Sequence, residues 1–140
     1  MNDQNSDAPN EGLVPNLPPV VRTIAMPADT NPAGDIFGGW LMSQMDLAAG
    51  NVAARCARGR CATIAVDALT FVSPVQVGDE VSLYAKLVKT GRSSISIRVE
   101  AWRRPRHSDE TRKVTEAIFT FVAIGPDGKA RALPAETSPR

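Results

Sequence analysis

The hydrophobic period of the sequence changes from helical to two near Gly59, and this change limits the folds open to the chain. From about residue 38 to 57 the chain is rich in Leu, Met, Gln and Ala, and the "RGR" that follows is typical of a helix stop, with Gly59 as the C-terminal signal. Beyond it, apolar and polar residues alternate, most cleanly in "SISIRVEAW" (94–102). The pattern predicts one long helix followed by a run of β-strands.

The strands are joined by short turns after the helix, which is typical of antiparallel pairing. The predicted strands are 20–26, 62–72, 81–88, 94–102 and 113–124. A sheet of this kind has an apolar face that must be covered, and only the helix at 38–57 is available to cover it. The predicted fold class is therefore α+β, with one long central helix wrapped by a curved antiparallel sheet of about five strands.

The length of 140 residues suits one domain, which can bury a real core without metals or disulfides. Residues 1–19 are rich in Asn, Asp and Pro, and we expect a disordered N-terminal tail there. We expect a flexible C-terminal tail at 134–140. A single folded domain is thus predicted at 20–133.

The overall charge and the ends of the sequence exclude several classes of protein. A formal net charge of +1 gives no argument for a nucleic-acid or membrane partner. Apolar runs are far shorter than the ~18 residues of a membrane span, and the start of the chain lacks the features of a signal peptide. Cys56 and Cys61 have no accompanying metal-site pattern, so we predict no metal and two reduced thiols in a cytoplasmic protein.

Asp46 is the unexpected residue of the predicted helix, because its neighbours are almost all apolar. Ser43, Gln44 and Asp46 are spread around the helix, so the pattern predicts burial on nearly every side. A buried carboxylate is costly unless it is paired or hydrogen-bonded. Two interpretations remain open: Asp46 lies on a wetted edge or pairs with an Arg or Lys of a strand, or it is a general base or nucleophile.

Gly38 and Gly39 stand where the helix should begin, and Asp35 comes just before them. Two glycines leave the first backbone N–H groups uncovered, and these donors favour negative charge together with the helix dipole. They could hold the oxyanion that develops in acyl transfer. The alternative is that the glycines only permit the loop to pack closely against the sheet.

The spacing between Gly38 and Asp46 favours a site shared by two subunits. Eight residues of helix span about 12 Å, which is too far for both to touch one carbonyl from the same chain. Two such helices lying antiparallel across a two-fold axis would bring Gly38 of one near Asp46 of the other. Two-fold dimers are also the commonest oligomers.

Four segments carry a family resemblance: 25–50 ("AMPADTNPAGDIFGGWLMSQMDLAAG"), 65–81 ("AVDALTFVSPVQVGDEV"), 90–102 and 113–134. Together they resemble the YciA-type acyl-CoA thioesterases, a bacterial branch of the hotdog-fold acyl-CoA hydrolases, over roughly 20–134. The resemblance implies a hotdog fold, a dimer with its two sheets side by side and commonly a trimer of dimers. It implies hydrolysis of acyl-CoA to free fatty acid and CoA with broad acyl preference and no cofactor, since CoA is part of the substrate.

The resemblance also assigns roles to residues of the helix and the preceding loop. It makes Asp46 the catalytic carboxylate, with Asp35 completing the site from the partner subunit. The N–H groups at Gly38 and Gly39 would polarise the thioester carbonyl. Pro32 differs from the Asn or Val expected at its position, in a loop that should tolerate the change.

We also expect residues outside the catalytic group to contact the substrate. Asn31, Trp40 and Phe71 are the predicted substrate-binding residues. Trp40, Met45 and Phe71 are candidates for lining an apolar slot between subunits, and each is an equally good candidate for plain core.

The CoA end of the substrate needs local cations and backbone donors, because it carries several phosphate charges. The turn between two predicted strands offers an arginine, hydroxyls and a glycine-containing loop that can converge on an anion. It is otherwise an ordinary hairpin turn with a solvated arginine, and the resemblance favours the CoA role. The residues of the turn are Thr90, Gly91, Arg92, Ser93 and Ser94. Arg58 and Arg60 could add positive charge. The run Arg103, Arg104 and Arg106 is either a further contribution or a solvated loop, and we favour the solvated loop.

Two other functions stay open: a non-catalytic hotdog module that binds acyl-CoA, and a hotdog hydratase. The hydratase chemistry typically needs an Asp and a His a few residues apart. The single histidine, His107, lies in a charged loop far from 35–50, and we expect it on the surface. For the hydrolase, the sequence does not choose between activation of water by Asp46 and an anhydride intermediate; we favour water activation.

Overall fold

A computed structural model describes residues 14–135 and 137, and it contains one long helix and five strands. The elements are β1 (Val21–Ile24), a short 3-10 turn (Pro27–Asp29), α1 (Gly38–Ala57), β2 (Cys61–Asp67), β3 (Glu80–Thr90), β4 (Ser94–Arg104) and β5 (Arg112–Ala123). The strands form one antiparallel sheet in the order β1-β3-β4-β5-β2. The predicted α+β fold class is confirmed.

The helix packs against the inner face of the sheet and contacts all five strands, so the sheet must curve around it. The helix side of this core consists of Leu41, Met45, Ala48, Ala49, Ala53 and Ala57. The small alanine side chains let the helix approach the sheet closely. On β4, the predicted inward residues Ile95, Ile97, Val99 and Ala101 are all fully buried.

The helix is less buried in the single chain than its composition predicts. Ser43, Leu47, Asn51 and Arg55 are exposed, and Leu47 keeps 62% of its surface. Their spacing of four residues places them along one side of the helix. The prediction of a helix buried on nearly every side is therefore wrong for one chain, since it counted apolar residues without their directions.

The C-terminal end of α1 is closed by residues of this chain. Arg58, and not the predicted Gly59, takes the left-handed conformation there, with φ of 55°. Gly59 instead makes room for Arg131, because a Cβ on it would lie 2.6 Å from Nη2 of that arginine. Arg131 donates from Nη2 to the Ala57 carbonyl at 3.0 Å and from Nε to the Ile124 carbonyl at 3.1 Å.

The predicted strand 62–72 is wrong beyond Asp67. Ala68 adopts a left-handed φ of 61°, which ends β2, and the following segment runs beside β5 outside the sheet. It is held by two hydrogen bonds: the Val72 N–H donates to the Val114 carbonyl at 2.7 Å, and Thr115 Oγ1 donates to the Thr70 carbonyl at 2.6 Å.

The outer face of the sheet carries a charged cluster around Glu116. Arg98 donates from Nη2 to both carboxylate oxygens of Glu116, at 3.0 and 3.1 Å, and Lys113, only 7% exposed, also bonds this carboxylate. Partial burial alone would raise the pKa of Glu116, but the hydrogen bonds and charges of Lys113 and Arg98 outweigh it and hold the pKa below its usual range.

Residues 1–13 of the predicted N-terminal tail lie outside the described residues, as do 136 and 138–140 of the predicted C-terminal tail. The domain limits of 20–133 stay a prediction. Thr137 donates a hydrogen bond from Oγ1 to the Cys56 carbonyl at 3.0 Å. Cys56 and Cys61 are free thiols, and burial raises the pKa of both. In the part of the chain that the structure describes, no helix is long and apolar enough to cross a membrane.

Candidate active site at the start of the helix and the edge of the sheet

The N-terminal end of α1 has no side-chain cap. Phe37 occupies the N-cap position and makes no capping hydrogen bond, as expected for a side chain without an acceptor. The first N–H groups of the helix, at Gly38 and Gly39, have no carbonyl partner within a helix of normal geometry. This end therefore presents donors and the positive end of the helix dipole to a ligand.

Two phenylalanine rings flank these donors, and the glycines allow them to approach. A Cβ on Gly38 would lie 3.2 Å from the Phe71 ring, and a Cβ on Gly39 would lie 3.3 Å from the Phe37 ring. The rings remain 45% and 42% exposed, respectively. Close packing thus accounts for both glycines, and the packed rings at the same time form apolar walls beside the amides.

Asn31 and Asp35 lie together in the tight turn that leads into the helix. Asn31 Oδ1 accepts hydrogen bonds from the N–H groups of Ala33 and Asp35 at 3.0 and 3.1 Å, and its own N–H donates to the Asp35 carbonyl at 2.8 Å. Because the amide oxygen holds the turn, the NH₂ group of Asn31 points away from it and can donate elsewhere. The exposed Asp35 contributes to the turn through its backbone.

Asp46 is hydrogen-bonded to a residue that the sequence did not single out. Thr63 donates from Oγ1 to Asp46 Oδ1 at 2.6 Å. Thr63 lies on the edge strand β2, immediately before a β-bulge that leaves Ile64 out of the ladder. The suggested Arg or Lys partner is thus replaced by a hydroxyl. The loose alternation of this stretch was the available signal for the bulge.

Exposed apolar side chains lie next to both members of this pair in the sequence, and others follow beyond the end of β2. Leu47 and Ile64, the sequence neighbours of Asp46 and Thr63, are 62% and 60% exposed. Phe71 and Val72 keep 45% and 51% of their surface. Strand β2 is the last strand of the sheet, so its outer backbone groups have no partner strand within the described chain. Such an apolar edge is typical of an interface.

An apolar pocket opens beside Gly38, and Phe71 is one of its walls. The pocket has a volume of about 180 Å³, and Ile36, Phe37 and Pro74 also form its sides. Of the three candidates for the acyl slot, only Phe71 lines it. Met45 is fully buried in the core, and Trp40 is partly buried against it, so the role of Trp40 in a slot between subunits stays a prediction.

Comparison with known proteins identifies the family. The sequence profile of the thioesterase superfamily matches residues 33–109. Acyl-CoA thioester hydrolase YciA of Escherichia coli is 51% identical over 126 residues, which cover 88% of this chain and 96% of that protein. This chain belongs to the YciA-type thioesterases.

Solved structures of such thioesterases have the same fold. The hexameric thioesterase y2039 from Yersinia pestis shares 52% identity and a TM-score of 0.82, over 87% of this chain and 99% of that one. HI0827, named a hexameric broad specificity acyl-coenzyme A thioesterase, shares 44% identity and a TM-score of 0.84, over 97% and 90% of the two chains. The resemblance and the hotdog fold predicted from the sequence are confirmed.

In this YciA-type chain, the predicted CoA turn lies at the C-terminal end of the helix. The N–H of Ala123 donates to the Ser93 carbonyl at 2.9 Å, and the N–H of Ile124 donates to the Arg60 carbonyl at 3.0 Å. The 90–94 turn and Arg60 are thus brought to one end of the sheet. The N–H of Leu133 donates to the Arg92 carbonyl at 2.8 Å, which fixes the turn and leaves the exposed Arg92 side chain outside.

The other basic run, Arg103, Arg104 and Arg106, lies at the opposite end of the β3–β4 hairpin. Two of its arginines form ion pairs. Arg103 contacts Asp79 at 3.3 Å, with side chains only 16% and 6% exposed, and Arg104 contacts Glu80 at 3.3 Å. The expectation of a solvated loop is wrong for these two arginines. Arg106 and His107 are exposed, the latter as predicted.

Proposed function

We propose that this chain hydrolyses acyl-CoA thioesters to free fatty acids and CoA, with broad acyl preference. The observation that carries the proposal is Asp46, a carboxylate held by Thr63 on the outward side of the helix, beside an apolar edge. The activity named for the E. coli relative and the broad specificity named for HI0827 support it.

The site is completed by a second copy of the chain. Leu47 on the exposed side of α1 and Ile64 on the free edge of β2 are exposed apolar side chains, and two chains related by a two-fold axis would bury both. Antiparallel helices would then place the Gly38 and Gly39 amides of one subunit near Asp46 of the other. Within one chain these groups are about 12 Å apart along the helix, too far to touch the same carbonyl. The hexamers of y2039 and HI0827 favour a trimer of such dimers.

In the proposed reaction the thioester carbonyl accepts hydrogen bonds from the Gly38 and Gly39 N–H groups, with the Asn31 NH₂ as a further donor. Thr63 occupies Oδ1 of Asp46, which leaves Oδ2 to accept a proton from water. The water oxygen attacks the carbonyl carbon and forms the new C–O bond, the C–S bond breaks, and the leaving CoA thiolate takes the proton that Asp46 accepted, which restores the carboxylate. Asp35 acts by holding the turn that positions Asn31.

CoA would lie along the edge of the sheet toward the 90–94 turn. Asp46 and Ala57 are eleven residues apart on the helix, about 16 Å. An elongated substrate can therefore place its thioester at Asp46 and its phosphates near the C-terminal end of the helix. Arg92 and Arg60 would meet its phosphates. No cofactor is needed in this scheme, and we expect the reaction in the cytoplasm, in keeping with two free thiols.

The test is a panel of acyl-CoAs assayed by thiol release, with the wild type, Asp46→Asn and, as a matched control, Asp109→Asn in the exposed hairpin loop. Loss of a general base should lower kcat by about 10²–10⁴-fold in Asp46→Asn, with the control at the wild-type rate. Flat inactivity of the wild type on every acyl-CoA would end the proposal, and tight binding without turnover would favour the non-catalytic module.

A further inference from the structure

A separate pocket lies on the outer face of the sheet and has a volume of about 310 Å³. It is lined by two cross-strand pairs of β3 and β4 and by the segment that precedes β1. The pairs are Tyr84 with Glu100 and Lys86 with Arg98, and the segment contributes Pro15 and Leu17. Because side chains alternate along a strand and Leu83 and Val99 lie in the core, the four paired side chains face away from it. The helix that carries Asp46 packs on the inner face, so the sheet separates this pocket from the candidate active site.

The charges around this pocket leave one cation unpaired. Arg98 contacts Glu116 at 3.0 Å and Glu100 at 3.6 Å, and Lys113 also bonds Glu116. Lys86 is exposed and makes no ion pair or hydrogen bond to any described residue. It stands directly opposite Arg98 in the β3–β4 ladder, and like charges in this position are destabilising. Three cations thus meet two carboxylates, and an anion beside Lys86 would relieve the imbalance.

Tyr84 supplies a hydrogen-bonding group that the described chain leaves unused. The residue is only 6% exposed, and its hydroxyl makes no hydrogen bond to a described residue. Buried tyrosine hydroxyls usually have a partner. Among the buried and half-buried described residues, only Arg103 Nε is both sealed from solvent and unbonded, so the Tyr84 hydroxyl is not sealed off. It is therefore open to a ligand in the pocket that Tyr84 lines.

The size and walls of the pocket suit an apolar chain with an anionic end. Pro15 and Leu17, the latter 45% exposed, form an apolar side. An apolar cavity of about 150 Å³ binds benzene. A volume of about 310 Å³ therefore suits roughly twice as many non-hydrogen atoms, about twelve. Octanoate and decanoate are of this size, and an ammonium and a phenol are both donors to a carboxylate.

We propose that the outer-face pocket is a second binding site, which takes the free fatty acid. The carboxylate accepts hydrogen bonds from Lys86 Nζ and the Tyr84 hydroxyl, and the apolar chain lies against Leu17 and Pro15. The choice of ligand rests on the proposed function, because free fatty acids are its products, whereas binding itself requires no turnover. Since the sheet separates the two sites, a fatty acid bound here does not compete with acyl-CoA.

The experiment measures octanoate binding by titration calorimetry. Lys86→Met removes a charged donor, so the Kd of the outer site should rise about tenfold, and Tyr84→Phe should raise it about fivefold. Lys89→Met is the matched control and should bind like the wild type, since Lys89 is also exposed on β3 but lies outside the pocket. Octanamide, which has the same chain without the charge, should bind the wild type about tenfold more weakly than octanoate does.

Trp102 reports where the octanoate binds. Its indole N–H donates to Glu100 Oε1 at 3.0 Å, and Glu100 lines the pocket. The chain has two tryptophans, so Trp40→Phe leaves Trp102 as the only source of indole emission. In this background octanoate should change the emission with the Kd found by calorimetry, and Lys86→Met should shift both Kd values together.

The outcomes separate this inference from the thioesterase proposal. Absence of octanoate binding at millimolar concentrations overturns the second site. Binding that Lys86→Met leaves unchanged places the ligand elsewhere and also overturns it, and octanamide that binds as tightly as octanoate contradicts the role of the charge. A wild type that binds octanoate as described but hydrolyses no acyl-CoA supports the second site and ends only the thioesterase proposal.

Discussion

The two ends of α1 differ in how their backbone groups are satisfied. At the C-terminal end Arg131 donates to the Ala57 carbonyl and Arg58 turns the chain away, so the polar groups find partners within the described chain. At the N-terminal end Phe37 occupies the cap position without an acceptor, and two glycines follow. Where the chain itself supplies partners for the backbone groups of a helix end, the contacts serve stability. Where the N–H groups of a helix end have no partner in the chain, a ligand can supply the acceptor.

A capping side chain at the N-terminal end of α1 should have the largest effect on kcat among these variants. Phe37→Asp supplies a capping oxygen for the Gly39 N–H, so the free energy of unfolding should rise by about 1 kcal/mol. The same oxygen competes with the substrate carbonyl, and kcat should fall by about 10²–10³-fold relative to Phe37→Ala. Thermal unfolding and thiol-release assays measure the two effects.

Phe37→Ala is the reference because it removes the same ring from the pocket without adding a cap. Equal kcat values for the Asp and Ala variants would show that the N-terminal amides take no part in the reaction.

Removing the hydroxyl beside Asp46 should have the next largest effect. Thr63→Val keeps the shape of the side chain but takes away a hydrogen bond to a charged group, so kcat/KM should fall on the order of 10-fold. Thr63→Ser retains the donor and should stay near the wild type in the same assay. A Val variant as active as the Ser variant would contradict a positioning role for Thr63.

Removing the Arg131 hydrogen bonds at the C-terminal end of α1 should lower stability and leave kcat unchanged. Arg131→Met removes the donor to the Ala57 and Ile124 carbonyls, and the free energy of unfolding should fall by about 1–3 kcal/mol in denaturant titrations. Lys129→Met, an exposed position nearby, should be neutral. If kcat per folded Arg131→Met enzyme dropped by tenfold, the division of roles between the two ends would be wrong.

The smallest effect belongs to Glu116, a carboxylate paired with Arg98 and Lys113 on the outer face of the sheet. Because its pKa is lowered on folding, the ion pair stabilises the protein above the unfolded pKa, and this contribution is lost as the pH falls through the folded pKa. Glu116→Gln should cost at most about 1 kcal/mol at neutral pH, since the side chain is 40% exposed.

Denaturant titrations of Glu116→Gln at neutral and acidic pH check this expectation, with Glu110→Gln in an exposed ion pair as the comparison. The difference from the wild type should shrink on acidification. A deficit that grew with falling pH would have the wrong sign for a lowered pKa.

The helix and its site residues could be predicted because their signals are local. The limits of α1 at Gly38 and Ala57 follow from composition and stop residues, and Asp46 stands out against apolar neighbours. Thr63 could not be found in this way, since its importance comes from a contact seventeen residues away across the fold.

The remaining errors also come from tertiary contacts. Ala68 carries no sequence sign of its left-handed conformation, so the end of β2 was placed five residues too late. Gly59 was expected as the signal that ends the helix, but Arg58 takes the left-handed conformation there, and Gly59 leaves space for Arg131. Arg103 was expected in solvent because its partner Asp79 is distant in the sequence.

The bulge at Ile64 has a consequence for assembly. Any strand that pairs with the free edge of β2 meets one residue out of line with the ladder. A slip of one residue would turn every side chain of the strand to the opposite face, and it would also move this irregular position. A single extra residue on the edge thus restricts the register in which a strand from a second copy of the chain can pair with β2.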